Sequence, residues 1–144
     1  MYSLVCQDCI DYLKMQPDEI FDASIFSPPY DSIRSYDTEW KLDFLELGRQ
    51  LYRTTKTGGV SCVVIGDQTK DRAKSLTTAR LQVSWVDDIG WSLFECCIYQ
   101  RHGNPGASWS TRFRVDHEFI LIFQKGYRKT FNRDVLMIPT KHAG

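Results

Sequence analysis

Much that would point to a function is missing from this chain. Lysine and arginine together number 18 and so do aspartate and glutamate, leaving a formal net charge of zero. No global field therefore draws the protein to nucleic acid or to an anionic membrane, and such a partner has to be met by a local patch. No apolar run approaches the roughly 20 residues of a membrane span, so no membrane partner is expected. The opening Met-Tyr-Ser-Leu-Val lacks the basic start and apolar middle of a signal peptide, and a cytoplasmic location is the expectation. Histidine is scarce, with three in the chain. Cys6-Gln-Asp-Cys9 has CxxC spacing, but a zinc ribbon needs a second CxxC or a His pair and neither exists, so no metal is assigned. Five cysteines, an odd number without a leader, argue for reduced thiols. No Ser/His/Asp or Cys/His spacing compels a hydrolase, and no repeat or linker divides the chain.

What is present suits one domain with a core: 144 residues, 42% hydrophobic and 25% charged. Residues 2–6 read as a short strand with Asp8 just past its end. Cys9 to Met15 reads as a helix that Asp8 can cap, stopped by Pro17-Asp18. Phe21 to Phe26 is a second strand. Thr38 or Asp37 opens a long helix through Trp40, Phe44, Leu47 and Leu51, closed by Gly58-Gly59. Val60 to Ile65 is a buried strand ending in Gly66-Asp67, followed by a polar loop from Gln68 to Lys74. A helix capped by Ser75 carries Leu76, Ala79, Val83 and Val86 on one stripe and closes at Gly90. Trp91 to Gln100 and His117 to Gln124 are strands joined without a helix, hence antiparallel neighbours. The order β-α-β-α-β-α-β-β predicts an α/β fold, a parallel sheet with helices on its faces and an antiparallel terminal pair.

Open α/β sheets bind ligands beyond the carboxyl ends of their strands. Those ends are Asp8, Ser27-Pro28-Pro29-Tyr30 and Gly66-Asp67. An aspartate after a strand serves equally well as a helix cap, so for Asp8 and Asp67 both roles stay open. The Ser-Pro-Pro-Tyr turn is less ordinary. Two prolines fix two φ angles and remove two N–H groups, so a buried strand ends in a rigid extended turn with an aromatic beyond it. Carbonyl and hydroxyl oxygens held this way could accept the protons of an exocyclic amino group on a flipped base and free its lone pair, while the aromatic stacks on the ring. Arg101, His102, Arg112 and Arg114, interleaved with Trp109 and Phe113, suit a nucleic-acid backbone or simply a solvated loop. Arg34 lies in the polar loop after Tyr30.

Gln7-Asp-Cys-Ile-Asp-Tyr-Leu13 and Phe21-Asp-Ala-Ser-Ile-Phe-Ser-Pro-Pro-Tyr30 together resemble the opening of amino DNA methyltransferases, and the likeness runs on through Thr57-Gly-Gly-Val60, Ile65-Gly-Asp67 and Arg112 to Asp134. The resemblance implies a partial Rossmann-like methyltransferase fold of three layers. It implies methyl transfer from S-adenosylmethionine to the exocyclic amine of a base in double-stranded DNA, with the Ser form of the motif favouring cytosine N4 over adenine N6. Ser27, Pro28, Pro29 and Tyr30 would then grip the base, Asp8 and Asp67 would face the cofactor, and Arg34, Arg101, Arg112 and Arg114 would meet DNA. The family's glycine-rich Phe-x-Gly-x-Gly turn has no counterpart in residues 1–144. The single domain at 1–144 therefore resembles the N-terminal half of a permuted enzyme, inactive alone and expecting a complementing second chain or self-association. The alternative is a non-catalytic nucleic-acid-binding or assembly module on the same fold.

Overall fold

The computed structural model describes residues 2–29, 42–70, 72–101, 115–127 and 130–137. The first helix, α1 (Cys9–Lys14), is capped by Asp8, whose Oδ1 accepts the Ile10 and Asp11 amides at 2.9 and 3.1 Å. Strand β1 (Phe21–Phe26) follows, then α2 (Phe44–Thr54), capped by Asp43. The expected Asp37 and Thr38 caps lie outside the described residues. Strand β2 (Thr55–Ile65) begins directly where α2 stops. Gly58 and Gly59 therefore sit inside a strand rather than closing the helix, because Thr55 is already extended. The loop expected at Gln68–Lys74 holds a small antiparallel pair, β3 (Thr69–Lys70) and β4 (Ala73–Lys74). Helix α3 (Thr77–Ser84) continues into a π-helical turn, Trp85–Ile89, closed by Gly90 at φ +100°, a left-handed position that favours glycine. Strands β5 (Ser92–Gln100) and β6 (His117–Gln124) complete the main sheet.

That sheet has the order β1-β2-β6-β5. β1 and β2 are parallel, with Phe26 opposite Val63, and β6 runs antiparallel to both β2 and β5. The terminal pair is antiparallel as expected, but the last strand is slotted inside the sheet and β5 is the edge. β5 thus points the same way as β1 and β2, and only β6 is reversed.

The expected strand at residues 2–6 does not form: those residues are in no sheet, and Tyr2 and Leu4 are about nine-tenths exposed (89% and 91%). A strand exists through its neighbours, and the outer edge of β1 offers none among the described residues.

The helices pack on one face of the sheet. Leu13 of α1, Leu47 and Leu51 of α2, Leu81 of α3 and Trp85 share one core with Val63 and Ile65 of β2 and Leu121 and Phe123 of β6. These β2 positions are alternate residues, as a strand with one covered face requires. Trp85 and Trp91 stack at 5.9 Å and lie beside Phe123, and each indole is held by an α2 carbonyl, Phe44 at 2.9 Å and Gly48 at 3.1 Å. Each tryptophan removes on the order of 200 Å² from water, a gross stabilisation of roughly 5 kcal/mol.

The stripe expected to bury α3 faces outward instead. Leu76, Ala79, Val83 and Val86 are exposed, whereas Thr78, Leu81 and Trp85 point inward. Trp85 decides this rotation, because its large ring fills the space between α2 and β6 that the smaller stripe would leave open.

Candidate active site on the carboxyl rim of the sheet

Because β1, β2 and β5 run in the same direction, their carboxyl ends share one rim. Ser27, Pro28 and Pro29 leave β1 there, Gly66 and Asp67 leave β2, and Arg101 follows β5. β6 starts on the same rim with His117 and Glu118. Pro28 is buried and Pro29 half-buried, while Ser27 is exposed. The turn is thus anchored by its first proline and presents the serine outward. Two fixed φ angles keep that presentation from relaxing.

Asp8 caps α1, which is tied to α2: Arg53 donates to the Leu13 carbonyl at 2.8 Å and to the Gln16 carbonyl at 2.9 Å, and Lys14 pairs with Glu46 at 3.8 Å. Asp67 reaches across to the start of α3: its Oδ1 accepts the Thr78 amide at 2.9 Å and the Thr78 hydroxyl at 2.7 Å. It supplies the stronger cap, because Leu76 in the cap position is left-handed (φ +57°) and makes no side-chain cap bond, and Ser75, the expected cap, accepts the Thr77 amide only at 3.4 Å. Both carboxylates therefore cap helices through one oxygen. Among the described residues no bond is recorded to either second oxygen.

Arg101 pairs with Glu118 at 2.6 Å, across the open end of the β5–β6 hairpin. Beside it Asp116 accepts from the His117 ring at 3.1 Å, and that hydrogen bond holds the Asp116 carboxyl below its ordinary range. The sequence reads His117-Glu118 as structural, because neighbours in a strand point to opposite faces, and gives Asp116 no role of its own. The signal available was their place at the start of the strand paired with β5. Tyr30, Arg34, Arg112 and Arg114, with the neighbouring His102, Trp109 and Phe113, lie outside the described residues. The rim thus brings together Ser27, Pro28, Pro29, Asp67 and Arg101, while Asp8 sits at the start of α1. Among the described residues no cluster of three metal-ligating side chains occurs, and no helix is long and apolar enough to cross a membrane.

Comparison with known proteins agrees with this geometry. A family model described as DNA methylase matches residues 21–143. The orphan methyltransferase M.BamHII of Bacillus amyloliquefaciens is 32% identical over 115 residues, covering 80% of this chain and 42% of that protein. The type II methyltransferase M.SfiI of Streptomyces fimbriatus is 25% identical, covering 96% of this chain and 39% of that protein. The chain therefore spans less than half the length of these curated relatives. Among solved structures, the cytosine-N4-specific PvuII DNA methyltransferase superposes with a TM-score of 0.74 at 20% identity, over 93% of this chain and 53% of that one. A protein of Thermus thermophilus described as a DNA modification methylase, in complex with S-adenosyl-L-methionine, superposes at 0.66 and 22% identity, over 92% and 60%. At these identities the structures establish the fold. The family match over residues 21–143, on a sheet whose β1 ends in Ser-Pro-Pro, shows that the chain belongs to the DNA methylase family.

Proposed function

We propose that this chain is the base-gripping half of a DNA amino-methyltransferase, acting with S-adenosylmethionine on the exocyclic amine of a flipped base in double-stranded DNA, cytosine N4 in preference to adenine N6. The observation that carries the reading is the Ser27-Pro28-Pro29 turn at the carboxyl end of β1, on the same rim as Asp67. The serine form of the motif supports the cytosine-N4 preference.

An exocyclic amine conjugated to its ring is a poor nucleophile, because its lone pair is delocalised. The Ser27 hydroxyl oxygen and the carbonyls of the turn are acceptors without competing N–H groups at the two prolines. Accepting both amine protons draws the nitrogen toward tetrahedral geometry and localises its lone pair. Tyr30 stacks on the extruded base and offsets the few kcal/mol spent in leaving the duplex. When bound, S-adenosylmethionine supplies an electrophilic methyl on a sulfonium. The oxygens of the Ser27-Pro28-Pro29 turn would then take the proton that the methylated amine gives up and pass it to solvent.

Residues for the adenosyl part fit in part. Asp8 and Asp67 are carboxylates oriented by the helices they cap, each with one oxygen not used in the cap. The methionine part has no glycine-rich turn among residues 1–144. The chain alone is accordingly a weak cofactor binder that does not turn over. Titration with S-adenosylmethionine tests the reading: binding that tightens when the missing part of the fold is supplied supports it. Absence of binding in both settings favours a nucleic-acid-binding module without catalysis, and robust methyl transfer by the purified chain alone would overturn the half-site reading.

A further inference from the structure

Between residues 68 and 86, Lys70, Arg72, Lys74 and Arg80 stand against Asp71 alone, in a chain whose formal net charge is zero. This local excess lies beside the candidate site. Phe26 opposes Val63, so the turn at 27–29 leaves the sheet next to the last residues of β2, about one strand spacing away, roughly 4.8 Å. The β3–β4 hairpin starts from that end of β2 and returns to it, where the Ser75 amide donates to the Gln68 carbonyl at 3.0 Å. In the turn between β3 and β4, Arg72 is exposed and held at φ +67°. Glycine takes up that left-handed conformation without cost and arginine rarely does. A strained backbone that still carries a long cation fits a side chain kept for contact. Lys74 and Arg80 are exposed as well. Lys74 reaches the Asp67 carbonyl at 3.5 Å and Arg80 the Ser75 carbonyl, so both heads are steadied by neutral oxygens.

Among the described residues no carboxylate pairs with Arg72, Lys74 or Arg80. Arg53, Lys56, Arg101 and Lys125 are each met by one: Asp18, Asp22, Glu118 and Glu19. Asp67, at the base of the hairpin, turns its carboxylate to the Thr78 amide and hydroxyl, where a helix start favours negative charge. The hairpin cations therefore keep their charge for a partner, whereas Arg101 would first have to leave Glu118. We propose that Arg72, Lys74 and Arg80 grip the phosphate backbone of the DNA duplex beside the extruded base. Phosphate contacts fix where a duplex sits without reading its sequence, and here they would set the target nucleotide over the Ser27-Pro28-Pro29 turn. The identity of the partner rests on the DNA reading of that site.

The probe is a short fluorescein-labelled DNA duplex of mixed sequence, titrated with the 144-residue chain by fluorescence anisotropy over a series of salt concentrations. Each phosphate contact contributes about 0.9 to the slope of log affinity against log salt, so the triple variant R72Q/K74Q/R80Q should lower that slope by about 2.7. Glutamine keeps a hydrogen-bonding side chain at all three exposed positions, and the urea unfolding midpoint should hold. Arg72→Gly separates charge from folding: it relieves the left-handed backbone, so the midpoint should hold or rise while the slope falls by about 0.9. Arg49→Gln, also exposed but on α2, removes the same charge elsewhere and should leave the slope unchanged. An unchanged slope in the triple variant overturns the proposal and leaves the methyltransferase reading standing. A slope lowered as much by Arg49→Gln as by Arg72→Gly also overturns it, because the loss would then follow net charge rather than place. Polyglutamate competing as well, charge for charge, as unlabelled duplex would assign the hairpin to an acidic protein instead. If the parent chain binds no duplex at any salt the proposal fails too, and titration with S-adenosylmethionine then judges the methyltransferase reading by itself.

Discussion

Gly48 is a position where helix propensity and packing pull in opposite directions, and replacing it with alanine measures which one governs. In a helix interior such a change ordinarily gains about 1 kcal/mol. Here a Cβ would lie 2.5 Å from both Cε2 and Nε1 of Trp85 and 2.7 Å from Cδ1 of Ile89. Apolar atoms prefer roughly 3.5–4.0 Å, so the indole would have to retreat by about 1 Å. Trp85 is fully buried, stacked on Trp91 and against Phe123. Its retreat also stretches the bond to the Phe44 carbonyl. Overpacking costs about 1–3 kcal/mol and an unsatisfied buried donor a further 1–2, so Gly48→Ala should destabilise by about 1–4 kcal/mol after the propensity gain. Urea unfolding followed by tryptophan fluorescence measures this directly. Arg49→Ala, exposed on the same helix, is the control and should move stability by no more than about 0.5 kcal/mol. An unchanged or raised midpoint for Gly48→Ala would refute the claim that the α2–Trp85 contact is close-packed.

Two further outcomes follow from the geometry and a third from the sequence. Asp67→Ala removes the remote cap on α3 and should cost about 1–2 kcal/mol in urea unfolding even without cofactor, while Asp67→Asn should keep much of that bond to Thr78; equal losses would disprove the cap. Glu19 accepts from the Thr57 hydroxyl and pairs with Lys125, which together hold its carboxyl below its ordinary value near 4.5. A depressed folded value contributes stability above the unfolded value that is lost as pH falls through the folded one. Glu19→Gln should therefore flatten the decline in the urea midpoint below about pH 4.5, and an unaltered acid limb would remove the assignment. Replacing Arg112 and Arg114 by alanine should reduce the slope of log affinity for DNA against log salt by about 2 if both meet phosphates; an unchanged slope would place them elsewhere.

The sequence was most readable where chemistry is local. Ser27-Pro28-Pro29 announced a stiff strand end because proline acts on its own backbone, and Asp8 announced a cap because capping reaches only two or three residues. Elements that depend on distant partners were harder to read. Residues 2–6 have strand composition, but a strand needs a neighbour that the described residues do not contain. α3 shows a tidy apolar stripe, yet Trp85 one turn later, filling a hole between α2 and β6, turned the helix the other way. For Asp67 the sequence left a strand-end ligand and a helix cap both open, and the structure shows it capping α3 through Thr78, eleven residues on. The slot of β6 between β2 and β5 is a matter of tertiary pairing that no local pattern encodes. On the rim, Arg101 was legible as a cation, whereas its pairing with Glu118 required the hairpin register.

The central claim is that the Ser27-Pro28-Pro29-Tyr30 turn prepares an exocyclic amine for methylation. Its most direct test is nucleoside mass spectrometry of double-stranded DNA incubated with S-adenosylmethionine, the chain and, as a separate polypeptide, the part of M.BamHII outside its matched 115 residues. The account predicts N4-methylcytosine, reduced when Ser27 is replaced by alanine and abolished when Tyr30 is. Methylation at a ring carbon, or a methylated amine formed undiminished after all four turn residues are changed to alanine, would contradict it.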